Sequence, residues 1–127
     1  MFNRFTFSLL LMFVTSTGLA ANYTDPSKPI VISKSKPEFT IVLKSNRTTG
    51  FSWFLSPIQQ TLFEIKSHRY ERTEDAAIGE GGYEYWEFKT KAAAFEVPMI
   101  LNIGFAYLRS WELKDAEPVQ FTVLTSD

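Results

Sequence analysis

The chain has 127 residues, with 13 basic and 14 acidic side chains and a net charge of −1. That length is one domain's worth, and a balance this close to neutral argues against a general nucleic-acid surface. Twelve Phe, five Tyr and three Trp supply ample material for a core, and with no cysteine that core must hold by packing alone.

Residues Met1 to Ala20 read as a secretory signal peptide. Arg4 precedes an apolar run through Phe5, Phe7, Leu9, Leu10, Leu11, Met12, Phe13 and Val14, and Thr15 to Gly18 are small or polar. The run is shorter than the ~20 residues of a spanning helix. Gly18 and Ala20 are the small residues before a cut at Ala20/Ala21; a cut after Ala21 is the alternative. The mature domain, Ala21–Asp127, then carries 12 basic and 14 acidic side chains. Without cysteine there is no lipoprotein anchor, and no later segment is suited to span a membrane. The expected location is the periplasm or the extracellular space.

Asn22 to Pro29 is polar and reads as an extended lead-in. Ile30-Val31-Ile32 is a short first strand. Phe39, Ile41 and Leu43 alternate with Thr40 and Val42, the period of a second. Phe51, Trp53 and Leu55 alternate with Ser52 and Phe54, giving a third, and Leu62 to Tyr70 a less regular fourth. Glu71 to Gly82 is charged and small, a long exposed loop. Tyr83 to Thr90 resumes strand character, with Trp86 and Phe88 on one face and Tyr85, Glu87 and Lys89 on the other. Lys91 to Phe95 suits a brief turn. Leu101, Ile103, Phe105 and Tyr107 share one face of the next strand. Asn102, Gly104 and Ala106 share the other, where small residues admit close packing or a bulge. Val119, Phe121 and Val123 mark the last strand. Seven or eight short strands without a convincing helix predict an all-β fold, an immunoglobulin-like antiparallel sandwich.

Catalytic chemistry is poorly provided for. The single histidine, His68, falls within a strand, and no local motif sets it beside a serine and a carboxylate. One histidine and scattered carboxylates make no metal-ligand spacing. Gly79-Glu80-Gly81-Gly82 lacks the lysine and following helix of a phosphate cradle. No cofactor is implied. Asn22-Tyr23-Thr24 and Asn46-Arg47-Thr48 match the glycan acceptor pattern, and a glycan on Asn46 would cover the polar loop between the second and third strands.

Three polar tips remain. The first is Asn46-Arg47-Thr48-Thr49-Gly50-Phe51, whose glycine permits a positive φ and close approach to a partner. The second, Gly79-Glu80-Gly81-Gly82, offers backbone N–H and C=O groups to an extended chain. The third, Arg109-Ser110-Trp111, puts a cation and a flat ring two positions apart, on one side of an extended segment. They follow the second, fourth and sixth mature strands, so alternate connections gather them at one end as a wedge. Small polar residues around a few aromatic or Arg anchors are common in binding loops.

The ordered set resembles the chagasin-like inhibitors of papain-family cysteine peptidases. Their marks are an Asn-Pro-Thr-Thr-Gly loop followed by an aromatic and a Trp, a Gly-x-Gly-Gly loop, and an Arg-Pro-Trp loop. Here these stand as Asn46-Arg47-Thr48-Thr49-Gly50-Phe51-Ser52-Trp53, Gly79-Glu80-Gly81-Gly82 and Arg109-Ser110-Trp111, and the likeness runs from about Ile30 to Val123. The resemblance implies a reversible, non-covalent inhibitor, its three loops entering the cleft of a papain-like peptidase; a wedge of this kind works as a monomer, and for want of catalytic residues the chain is not expected to be an enzyme. Thr48 and Thr49 would lie against the enzyme's Cys-His pair. The glycine-rich loop would pair with the substrate-binding strand, and Trp111 would meet an enzyme aromatic.

Arg47 and Ser110 depart from the pattern, since both replace proline. Lost proline rigidity weakens binding by about 0.5–1 kcal/mol per site, so Arg47→Pro and Ser110→Pro are each expected to tighten inhibition. The rival reading is an exported immunoglobulin-like adhesion or assembly module, indifferent to truncation of the three tips.

Overall fold

The computed structural model describes residues 20–73, 81–113 and 116–126. The expected leader, apart from Ala20, lies outside them. The strands are β1 (Ala21–Tyr23), β2 (Ile30–Ser33), β3 (Glu38–Ser45), β4 (Ser52–Leu55), β5 (Phe63–Arg72), β6 (Gly82–Thr90), β7 (Ile100–Leu108) and β8 (Glu117–Ser126). They form two four-stranded sheets, ordered β1-β3-β6-β5 and β2-β8-β7-β4. This is the all-β sandwich that the alternation predicts.

Two pairings go beyond that expectation. Asn22 and Tyr23, read as lead-in, belong to an edge strand running parallel to β3, with Ala21 beside Phe39. Likewise β2 runs parallel to β8, Ile30 beside Val123. The other pairings are antiparallel. A parallel pair joins segments with no shared hairpin, so no local turn signal announces it.

Inward residues of the alternating strands meet between the sheets. Phe39, Phe88, Phe105 and Phe121 are fully buried, with Ile30, Ile41, Ile103 and Val123 around them. Phe39 stacks on Phe88 at 5.4 Å, and Phe105 meets Phe88 and Phe121 edge-on at 6.4 and 6.0 Å. Burial of one such ring contributes about 1.5–3 kcal/mol, so these four rings alone exceed the ~2–4 kcal/mol of a disulfide. Gly104 admits Ser56, whose N–H donates to the Gly104 carbonyl at 2.8 Å. The alanine run forms only a short 3-10 turn, Ala92–Phe95, with Ala94 and Phe95 buried.

Register gathers the three loops. Ser45 at the end of β3 and Arg72 at the end of β5 both face Gly82, where β6 begins. Ser52 opens β4 opposite Leu108, and Tyr107 faces Glu117 at the start of β8. The β3–β4 connection (loop 1) crosses from one sheet to the other at this end. The β5–β6 connection (loop 2) and the β7–β8 connection (loop 3) flank it.

Candidate functional site

Loop 1 is a single 3-10 turn, Arg47–Thr49, capped at both ends. Asn46 is the N-cap. Its side-chain oxygen accepts from the Thr48 N–H at 3.2 Å and from the Thr48 hydroxyl at 2.6 Å. The Thr49 hydroxyl donates to the Asn46 carbonyl at 2.7 Å. Gly50 closes the turn at φ 81°, its N–H donating to the Arg47 carbonyl. Both threonines are exposed at the tip while their O–H donors are held inside the loop.

The foot of loop 1 is anchored in β7. The Asn46 N–H donates to the Tyr107 hydroxyl at 3.0 Å. The Tyr107 ring packs between Phe51, at 5.1 Å, and Trp53, at 4.8 Å. The Trp53 indole N–H donates to the Lys44 carbonyl at 2.9 Å, tying β4 back to β3.

Loop 3 is not extended. Arg109 to Glu112 is a β-turn, closed by the Glu112 N–H on the Arg109 carbonyl at 2.9 Å. With no positive φ outside glycine among the described residues, it is not a type II turn. Arg109 and Trp111 nevertheless converge on loop 1. The Arg109 guanidinium lies 4.5 Å over the Phe51 ring, and its Nε–H donates to the Thr49 carbonyl at 2.9 Å. Trp111 is 69% exposed, so it is not a core residue. Its ring passes so close to Gly50 that an added Cβ there would stand 2.8 Å from a ring carbon. Loops 1 and 3 are therefore one unit, with Thr48, Thr49 and Trp111 exposed on it.

Loop 2 divides. Gly79 and Glu80 lie outside the described residues. Gly81 and Gly82, expected at an exposed tip, are instead buried at its foot. Gly81, at φ 76°, lies against Ser45 and Asn46, where a Cβ would sit 2.6 Å from the Ser45 carbonyl oxygen. A Cβ on Gly82 would sit 2.1 Å from the Glu71 carbonyl oxygen. The Gly81 carbonyl accepts from Thr73. Gly81 lets the feet of loops 1 and 2 touch, Gly82 lets the two ends of loop 2 approach each other, and the contacts of both are internal.

Beneath the loops, Glu84 on β6 is fully buried. Its carboxylate accepts from the Trp53 backbone N–H at 3.1 Å and meets His68 Nε2 on β5 at 2.8 Å. One carboxylate thus joins an edge strand of each sheet. The His68 ring lies on Trp86 at 3.8 Å, nearly parallel. A cleft of about 450 Å³ on this flank is lined by Ser52, Phe54, His68 and Glu84 among others. Serine, histidine and a carboxylate share it, yet the histidine is committed to Trp86 and Glu84, and no hydrogen bond joins it to Ser52 among the described residues. That arrangement is a clamp between sheets.

The model for chagasin family peptidase inhibitors, family I42, matches residues 33–124. The chain belongs to that family. As a chagasin-family peptidase inhibitor it acts on other enzymes and is not one itself. It is similar to chagasin of Trypanosoma cruzi, 29% identical over 89 residues that cover 65% of this chain and 74% of that protein. The fold matches a crystal structure of the cysteine protease inhibitor EhICP2 of Entamoeba histolytica, with TM-score 0.62, 16% identity, and coverage of 84% of this chain and 97% of that one. It also matches the solution structure of amebosin, with TM-score 0.60, 19% identity, and coverage of 85% and 99%.

Three residues of this family member's loop end escape motif reading: Tyr107, Glu84 and Tyr70. Glu84 carries a signal, since it stands in phase with Trp86 and Phe88 and a charge on a core face needs partners. Tyr107 stands in phase with Phe105, as the inward residue nearest the loops. Tyr70 carries none.

Proposed function

We propose that this chain is a reversible, non-covalent inhibitor of papain-like cysteine peptidases, and that loops 1 to 3 together occlude the active-site cleft. The observation that carries the reading is the locked pair of loops 1 and 3, which presents Thr48, Thr49 and Trp111 from a rigid foot. Membership of a peptidase-inhibitor family supports it, as does the naming of a structural neighbour as a cysteine protease inhibitor. The tip is a capped 3-10 turn, whereas peptidases bind the backbone they cut as an extended strand. Such a turn fills a cleft without offering a scissile bond. Its threonine O–H donors are already satisfied, so the tip binds through shape, the Trp111 ring and backbone groups.

The protein is further proposed to act as an exported monomer, cut after Ala20. The first strand begins at Ala21, so that cut leaves β1 whole, whereas a cut after Ala21 would shorten it. Intact-mass measurement of the exported protein distinguishes the two.

The decisive experiment titrates Ala21–Asp127 into papain with a fluorogenic peptide substrate. The expected result is loss of activity at stoichiometric inhibitor, recovered on dilution, and weakened by Thr48→Ala/Thr49→Ala and by Trp111→Ala. Full peptidase activity at micromolar inhibitor overturns the reading, and inhibition unchanged by loop truncation overturns the role of the loops.

A further inference from the structure

Arg47 stands where the family pattern has proline, at the first position of the loop 1 turn. Its Cζ lies 4.5 Å from the centroid of the Tyr70 ring. Among the described residues its guanidinium forms no ion pair. Tyr70 is on β5 beside Glu84 in register, as His68 is beside Trp86. Register partners share a face, so Tyr70 stands on the inner side of an edge strand. The facing edge, β4, has only four residues. Arg47 therefore reaches from loop 1 across the open flank of the sandwich and lines the cleft that Glu84 and His68 also line.

We propose that Arg47 and Tyr70 form a brace that holds the Thr48-Thr49 tip to β5, the strand that leads into the glycine-rich loop. The brace does here what proline does in the family pattern, limiting the conformations of the free loop before it binds. Arg109 ties loop 1 to loop 3 on one side, and Arg47 ties it toward loop 2 on the other. Arg47 is thus a positioning residue, its charge held over a ring instead of offered at the tip. The consequence for inhibition rests on the function proposed above; the brace itself does not.

A cation–π contact at an exposed site corresponds to roughly a two- to fivefold change in an equilibrium constant. Inhibition constants against papain are to be measured for wild type, Arg47→Ala, Tyr70→Ala, the double variant, Tyr70→Phe, Arg47→Pro and Arg47→Pro/Tyr70→Ala. Each alanine variant is expected to weaken inhibition about two- to fivefold and the double variant no further, while Tyr70→Phe, which keeps the ring, matches wild type. In the Arg47→Pro background, Tyr70→Ala is expected to change nothing. Additive effects of the two alanines, or an undiminished effect of Tyr70→Ala beside proline, overturn the brace. Amide exchange at Thr49 and Gly50 reads the same cycle without a peptidase. Exchange in Tyr70→Ala should be about two- to fivefold faster than in wild type, and equal rates overturn the brace. A wild type that fails to inhibit while exchange follows the cycle would sink the inhibitory function and leave the brace standing.

Discussion

Removing the Glu84 carboxylate should cost more stability than removing the Tyr107 hydroxyl at the foot of loop 1. The side chain is fully buried and receives one backbone N–H, from Trp53, and one side-chain donor, from His68, at 3.1 and 2.8 Å. A hydrogen bond to a charged group contributes about 1.5–3 kcal/mol. The His68 side chain is 35% exposed, so water recovers part of its loss and its contribution belongs at the low end. The Trp53 N–H, on a half-buried edge strand, loses its acceptor. Glu84→Ala should therefore destabilise by about 3–4 kcal/mol, the lower part of the ~3–5 kcal/mol for breaking a buried pair. In a domain of this size that lowers the unfolding midpoint by roughly 12–20 °C. Glu84→Gln keeps the shape and one acceptor, and should cost about 1–2 kcal/mol, the charge-assisted part. Thermal and urea unfolding followed by tryptophan fluorescence measure both. An alanine variant within ~1 kcal/mol of wild type, or a glutamine variant as damaging as alanine, would refute the account of Glu84 as a clamp held by its charge and its two donors.

Gly50→Ala should weaken inhibition of papain about tenfold or more, read from the inhibition constant: φ 81° disfavours any side chain, and the new Cβ would displace the Trp111 ring from 2.8 Å. Tyr107→Phe keeps both ring contacts but removes the acceptor for the Asn46 N–H; it should cost about 1 kcal/mol in urea unfolding and speed exchange at Asn46. Ser110→Pro should raise stability by about 0.4–1 kcal/mol and tighten inhibition, because Ser110 is the second residue of a β-turn with no positive φ, where proline fits.

The antiparallel core was legible because period-two alternation is enforced by burial on one face, as in Trp86 and Phe88 against Lys89. The edge strand Ala21–Tyr23 was not, since three mostly exposed residues leave no such alternation and their partner lies far along the chain. The loop motifs could be read as turns, and Asn46 and Gly50 do cap one. What they could not reveal is which residues face outward. Gly81 and Gly82 carry the composition of a tip, but Gly82 is in register with both Ser45 and Arg72, and Gly81 lies against Ser45 and Asn46, where two loops touch. Arg109-Ser110-Trp111 was expected to be extended. A β-turn gives the same convergence on loop 1, because Thr49 and Phe51 supply the acceptor and the ring that draw Arg109 inward.

Loss of two prolines implies slacker loops, with a similar penalty at each site. The contacts distribute that penalty unevenly. Around Arg47 the turn is held by the Asn46 cap, by the Tyr107 hydroxyl beneath it and by the Tyr70 ring beside it. Asn46 is already extended at φ −118° and ψ 93°, outside the α region that a following proline disfavours. Proline at 47 would fit the backbone, but it would also remove a contact of about 0.5–1 kcal/mol, the same size as the rigidity it adds. The two effects largely cancel there. At Ser110 no side-chain hydrogen bond among the described residues opposes the gain: the turn is closed by a backbone hydrogen bond, and its anchors are the neighbours Arg109 and Trp111. The same substitution, proline restored to a family motif, is thus close to neutral in loop 1 and favourable in loop 3, and the difference lies in what the present side chain touches.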